Sequence, residues 1–186
     1  KLRQKQKLRQ KQKLRQKQKL RQKLMNKWGV AVVVVMISTA VYFMNKTKWT
    51  PPEAAKPYLD DIIKAEYLNG MPRYLLARLL YQESRYRWDI ISGETKSSAG
   101  AVGIAQIVPK WHPNVNPLNV SESIHYAAKY LTKLKNQFGD WETALAAYNW
   151  GMGNVNNAMK SNGYKWLASA PTETQNYVSE IWGDVA

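Results

Sequence analysis

The sequence predicts a mainly α-helical domain with little β-structure, preceded by a single transmembrane helix and a basic N-terminal tail. Three observations lead there. Beyond residue 57 the apolar residues recur at helical spacing, with hardly any period-two alternation. An uncharged run bordered by lysines occupies residues 28–44. Basic residues crowd into the first 27 positions.

The tail holds 13 of the chain's 28 Lys and Arg and no acid, so it carries most of the formal +15 and leaves the rest of the chain at +2. The high pI therefore describes the tail and not the domain. The unit KLRQKQ begins at Lys1, Lys7, Lys13 and Lys19. On a helix each six-residue step would turn the next leucine by roughly 240°, so Leu2, Leu8 and Leu14 form no apolar stripe. Residues 1–27 read as a solvated basic segment with the charge to contact anionic lipid headgroups. No specific nucleic-acid partner is predicted, because the downstream domain shows no basic or aromatic recognition motif.

Residues 28–44, WGVAVVVVMISTAVYFM, have the length of a short span across a hydrocarbon core of ~30 Å. Trp28, Tyr42 and Phe43 suit the two interfaces. The basic residues ahead of the run predict a cytoplasmic N-terminus, which places everything after Asn45 in the periplasm or cell-wall space. Ser38-Thr39-Ala40 has the small-x-small form of a cleavage site, so the segment also reads as a signal that is removed to give a secreted form. Either way the remainder is exported. Residues 45–56, with Pro51 and Pro52, read as a linker, and 57–186 as one domain.

Within that domain Leu59, Ile62, Ile63 and Tyr67 keep helical spacing and stop at Asn69-Gly70. Pro72 suits the first turn of the next helix, where Leu75, Leu76, Leu79 and Leu80 make a continuous apolar face. A Gly/Ser-rich passage from about Ser92 to Gly103 reads as irregular. Ile124, Ala127, Ala128, Leu131, Leu134 and Phe138 form a long stripe, with Ser121 as the expected N-cap and Gly139 as the stop. Asp140 is placed to cap the helix that carries Leu145 and Tyr148. Thr172 and Gln175 have capping-box spacing ahead of Val178, Ile181 and Trp182.

With no cysteine and only His112 and His125, thiolate and histidine metal sites are both disfavoured, and no metal or cofactor is expected. Chemistry then rests on carboxylates, hydroxyls and amides. Glu83 follows Leu79 by four residues and Leu80 by three, so on a continuing helix it projects from the leucine face. Partial burial there would raise its pKa and keep a proton ready for general acid catalysis. The same spacing also allows a plain alternative, a helix end with Arg87 at i+4 as a surface ion-pair partner.

The neighbours of Glu83 bear on that choice. Glu83-Ser84 is followed by the stretch from Ser97 to Pro109, which contains Gly100, Gly103 and Gln106. Ala144 to Val155 follows, with Tyr148-Asn149 and Gly151 and Gly153, and last come Glu173-Thr174 with Tyr177-Val178. The glycines alone mean tight turns, and no GK[ST] follows them to make a phosphate loop. In this order the four stretches, within roughly Tyr58 to Trp182, resemble the catalytic domain of the soluble lytic transglycosylases, a lysozyme-like family related to goose-type lysozyme.

That resemblance implies a lysozyme-like helical fold and the cleavage of peptidoglycan glycan strands. It implies Glu83 as acid and then base, with Tyr148 beside that carboxyl and Ser97 and Gln106 hydrogen-bonding the sugar. Asn149 falls in the same cleft, and Glu173 and Tyr177 shape its floor or touch substrate. Gly103 would let the backbone approach the glycan. Two positions depart from the family pattern. Ala105 replaces the usual Met, which implies a looser groove around the acid. Trp150 replaces a small residue, and reads as core or rim packing ahead of a sugar-stacking surface.

Ordinary glycosidases flank the scissile bond with two carboxylates. Asp89 and Glu94 match no motif position, and the resemblance implies that the muramic N-acetyl group supplies the nucleophile, giving 1,6-anhydro products. The rival readings are a hydrolytic lysozyme of the same fold and a catalytically silent glycan-binding module. This layout suits wall growth, secretion or conjugation machinery, and virion-associated lysis alike.

Overall fold

The computed structural model describes residues 49–183 and Val185. The expectations for the basic repeats, the apolar run 28–44 and the start of the linker lie outside the described residues. Among the described residues no helix is long and apolar enough to cross a membrane.

Among the described residues there are seven α-helices: α1 (Leu59–Leu68), α2 (Leu75–Ser84), the one-turn α3 (Trp88–Ile91), α4 (Val120–Phe138), α5 (Trp141–Trp150), α6 (Met152–Asn162) and α7 (Thr172–Trp182). Two 3-10 segments, Glu53–Tyr58 and Gly163–Ser169, precede α1 and α7. The only bridge pairing among the described residues joins Val102 and Ile107, antiparallel. The fold is mainly helical, as the apolar spacing predicts.

α2 is the central element. Leu75, Leu76, Leu79 and Leu80 are fully buried, and Ala77 and Arg78 on its other side are buried as well. At about 2 kcal/mol for each fully buried leucine, this face is a main source of the domain's cohesion. The buried carboxylate of Glu66, on α1, accepts backbone N–H bonds from Tyr74 at 3.0 Å, Leu76 at 2.9 Å and Ala77 at 3.3 Å. Those are the donors that a helix start leaves unpaired. Pro72 stands one turn earlier than expected, in the turn before α2, where its carbonyl accepts from Leu75 N–H.

The long stripe of α4 is buried at Ile124, Ala127, Ala128, Leu131 and Leu134, and Gly139 ends the helix at φ 98°. Its cap is Asn119, whose side chain accepts from Glu122 N–H at 3.2 Å, so Ser121 lies inside the first turn. Asp140 caps α5 through Thr143 N–H at 2.7 Å, as expected. The Thr172/Gln175 box does not form. α7 starts directly after Pro171, and the Gln175 amide turns back to the Ala170 carbonyl at 2.8 Å. α4 packs on α1 and α5, and α7 packs on α2 and α5. The C-terminal ends of α2 and α5 thereby meet the side of α7.

Candidate active site

Glu83 occupies the last turn of α2, one residue before the helix ends. The end is built by Ser84, fully buried, whose hydroxyl donates to the Leu80 carbonyl at 3.0 Å and accepts from Tyr86 N–H at 3.2 Å. Arg85 and Tyr86 both adopt left-handed backbone, at φ 51° and 54°, and Tyr86 Oη donates to the Ala77 carbonyl at 2.7 Å. That local geometry turns the chain away and leaves the Glu83 carboxyl facing a cleft of about 620 Å³. The ion-pair alternative is closed: Arg87 pairs with Asp89 at 2.7 Å. Asp89 also accepts from Thr95 at 2.9 Å and takes no part in the cleft wall.

The walls bring together Ser97, Gln106, Tyr148, Asn149, Glu173 and Tyr177, along with Glu83, Ala101, Val108, Asn176 and Glu180. The carboxyl's bonded partner is Tyr177, whose hydroxyl donates to Glu83 Oε1 at 2.6 Å. Tyr148, expected beside Glu83, lines the same cleft but donates to the Ala105 carbonyl at 2.9 Å. Burial pushes the Glu83 pKa up to about 7, against the lowering pull of the Tyr177 hydrogen bond and with a further push from the negative Glu173. The Tyr148 and Tyr177 phenols are both held well above the usual tyrosine range by burial and by Glu83. They act as donors and not as phenolates.

The loop carrying Ser97 and Gln106 is pinned from within. Ser97 Oγ accepts from Ala101 N–H at 2.9 Å, and the mutual bonds of Val102 and Ile107 close a tight turn at 3.1 Å each. Gln106, at the C-terminal side of that turn, sits at φ 45°, a strained conformation for a residue with a side chain. Its amide donates to the Gly103 carbonyl at 3.2 Å. Asn149 accepts from Thr174 Oγ1 at 2.8 Å, a tie between α5 and α7.

Gly103 is the expected site residue that the structure does not bring to the cleft. It is buried at φ 80°, and a Cβ there would lie 2.0 Å from the Pro117 carbonyl oxygen. The space that its missing side chain leaves is taken by the Pro117 backbone and not by a glycan-facing surface. Ala105 is likewise fully buried and is not part of the cleft lining, and its carbonyl accepts from Tyr148.

Past Tyr148 the cleft continues into a cavity of about 740 Å³ that shares Gln106, Val108, Tyr148 and Asn149 with it. Trp111, His112, Tyr126, Tyr130 and Trp150 also line this cavity, so Trp150 is half-buried at a rim. His112 Nδ1 and Tyr126 Oη lie 2.7 Å apart, Tyr126 stacks on Tyr130 at 6.2 Å, and Tyr130 meets Tyr148 at 5.7 Å. These aromatics escape sequence reading because no motif marks them. Their one signal was Tyr126 and Tyr130 at i, i+4 beside the buried stripe of α4.

Fold and site together define a lysozyme-like helical domain with one proton-holding carboxyl at the head of an open cleft. The chain belongs to the transglycosylase SLT domain family, whose model matches residues 60–167. Membrane-bound lytic murein transglycosylase D of Escherichia coli K12 is 33% identical over 143 residues, covering 68% of this chain and 30% of that protein. The same protein from E. coli O6:H1 matches equally. The chain thus spans less than a third of the curated relatives it matches. Among solved structures, an inactive mutant of the lytic transglycosylase Slt from Pseudomonas aeruginosa superposes with a TM-score of 0.57 at 21% identity, covering 69% of this chain and 23% of that one. That likeness is one of fold.

Proposed function

We propose that this chain cleaves the β-1,4 bond between N-acetylmuramic acid and N-acetylglucosamine in peptidoglycan and releases 1,6-anhydromuramyl products. The observation that carries the reading is the half-buried Glu83 carboxyl, raised to about 7 and bonded to Tyr177 at the head of a polar cleft. A carboxyl with that pKa holds its proton at neutral pH yet gives it up without a large penalty.

Protonated Glu83 donates to the glycosidic oxygen as the C–O bond breaks, and the N-acetyl carbonyl oxygen of the same muramic sugar bonds to its anomeric carbon. Glu83, now a carboxylate stabilised by the Tyr177 hydroxyl, accepts the proton of the sugar's 6-hydroxyl. The 6-oxygen then bonds to the anomeric carbon, the acetamido oxygen leaves it, and Glu83 is again protonated. Attack by a group already joined to the electrophile has a large entropic advantage. Ser97, Gln106 and Asn149 supply hydrogen bonds to the sugar, and Tyr148 shapes the wall beside it.

The family relationship to membrane-bound lytic murein transglycosylase D supports both the substrate and the wall-facing location. The apolar run 28–44 would tether the domain to the inner membrane, with residues 1–27 at anionic headgroups on the cytoplasmic side.

A second reading, hydrolysis, is favoured by one observation: Glu173 lines the cleft near enough to raise the Glu83 pKa and is a second carboxylate to hold water. Mass spectrometry of muropeptides released from purified sacculi separates the two readings by one water. Glu83→Gln is expected to cut turnover by about 10²–10⁴-fold while keeping glycan binding. Undiminished release of muropeptides by that variant would remove Glu83 from the mechanism.

A further inference from the structure

The groove does not end where the motif residues end. Beyond the cavity past Tyr148 lies a third recess of about 490 Å³, and the two share Trp111, His112, Tyr126 and Tyr130 as a common wall. Met152 and Lys129 and Lys133 of α4 complete the lining of this recess. Three recesses in series, each sharing a wall with the next, make one groove running from Glu83 to the two lysines.

Its two ends differ in charge. The Glu83 end is lined by Glu83, Glu173 and Glu180, with Arg85 as the basic residue. The far end has Lys129 and Lys133 in its lining and no acidic residue. Lys110 adds a third cation there, its Nζ lying 4.9 Å from the Trp111 ring centre. Trp111 itself is 70% exposed, an indole presented to solvent on the groove wall.

Lys129 and Lys133 stand four residues apart on one helix and form no ion pair among the described residues. Like charges at that spacing repel each other. The one acid in the first turn of α4, Glu122, is engaged elsewhere by Asn116 N–H at 3.1 Å. An anionic group in the recess would meet a lining with two lysines, no acid and an aromatic wall.

A bare glycan strand offers little for those cations to bind, because its repeating sugars are neutral amides and hydroxyls. The muramic sugars differ: each carries a lactyl-linked stem peptide that bears free carboxylates. We propose that the Trp111–Lys129–Lys133 end of the groove binds the acidic stem peptide of a muramyl residue held several sugars away from the bond being cleaved. This rests on the reading of the groove as a glycan site, and it makes the enzyme selective for peptide-bearing strands.

Binding to the full chain in the Glu83→Gln background, where turnover is too slow to consume the probes, tests this directly. Two probes are used, peptide-bearing glycan oligomers and the same oligomers stripped of peptide by an amidase. The peptide-bearing form should bind more tightly, and Lys129→Gln/Lys133→Gln should reduce that preference by about tenfold, the scale of two partly exposed ion pairs. Raising the salt concentration should erode the preference in the parent and leave the double variant nearly unaffected.

An equal loss on both probes, or no loss on either, would overturn the assignment, and a circular-dichroism melt matching the parent's excludes unfolding as the cause. If neither probe binds the parent, the glycan reading itself fails. If both bind alike in the parent, that reading stands and the peptide site does not.

Discussion

Tyr177 donates its phenolic hydrogen to Glu83 Oε1 at 2.6 Å across 94 residues of sequence, joining the end of α2 to the middle of α7. Two opposed effects meet in that bond. Burial favours the neutral acid, and the hydrogen bond favours the carboxylate. In the proposed mechanism a balance near 7 would let one group give a proton in the first half of the reaction and take one in the second.

The same balance predicts a dependence of stability on pH. Because the folded-state pKa of Glu83 lies above its ordinary value of 4.5, the folded protein holds this proton more tightly than the unfolded chain does. The stabilising effect is complete below about 4.5 and is lost as pH rises through about 7. Glu83→Gln, which cannot ionise, should therefore gain stability over the parent as pH is raised across that window. The expected plateau above it is about 1–3 kcal/mol, allowing for partial solvent exposure. Urea denaturation at pH 4.5, 6 and 8 measures it, and a pH-independent difference would mean that Glu83 is not desolvated.

Tyr177→Phe removes the one hydrogen bond that favours the ionised form and keeps the buried ring. The pKa of Glu83 should rise by about one unit, the scale of a hydrogen bond to a charged group. The basic limb of the kcat profile should move to higher pH by that amount, and the rate at low pH should change less. Muropeptide release followed from pH 5 to 9 tests this. An unmoved limb would show that Tyr177 does not tune the acid.

Much of this site was legible in the sequence. Glu83 on a leucine face, the order of the four motifs, and the caps at Gly139 and Asp140 all depend on local spacing, which the folded chain keeps. Other features depend on tertiary contacts that spacing does not encode. The hydrogen-bond donor to Glu83 is Tyr177, brought there by the packing of α7 on α2, while Tyr148 lines the same cleft and feels the Glu83 charge. The cap of α4 is Asn119 and not Ser121: either side chain suits a cap, and Asn119 ends the turn that begins at Asn116. No motif marks Glu66 or the His112–Tyr126–Tyr130 cluster, because each is a group whose meaning lies in what surrounds it.

Glu66 sits at the opposite end of α2 from Glu83 and holds it in place. Burial raises this carboxyl to about 7 despite three backbone N–H donors that favour its charge. Glu66→Ala leaves those donors without an acceptor in a dry setting and should cost about 2–4 kcal/mol. Glu66→Gln keeps one acceptor oxygen and should cost roughly half as much. Thermal unfolding of the two variants gives the comparison. Gln keeps the volume of Glu, so equal losses would mean that the one acceptor oxygen it retains does nothing for the α2 donors, and a negligible loss in both variants would remove Glu66 from the helix start.

Gly103→Ala separates the two accounts of that glycine. Were its purpose to admit glycan, a methyl group would weaken binding and leave the fold intact. The geometry requires the reverse. A Cβ at this position would stand 2.0 Å from the Pro117 carbonyl oxygen, a backbone atom with no rotamer to yield, and the residue holds φ 80°. The chain must shift, and the loop that shifts also carries Gln106 and the Val102–Ile107 bridge. The expected loss is about 2–4 kcal/mol, the sum of left-handed backbone strain and the steric contact. Denaturant unfolding reads the loss directly. Affinity for glycan oligomers, measured where the variant is still folded, should fall only as far as Gln106 is displaced. A variant as stable as the parent with impaired glycan binding would restore the glycan-approach role to Gly103.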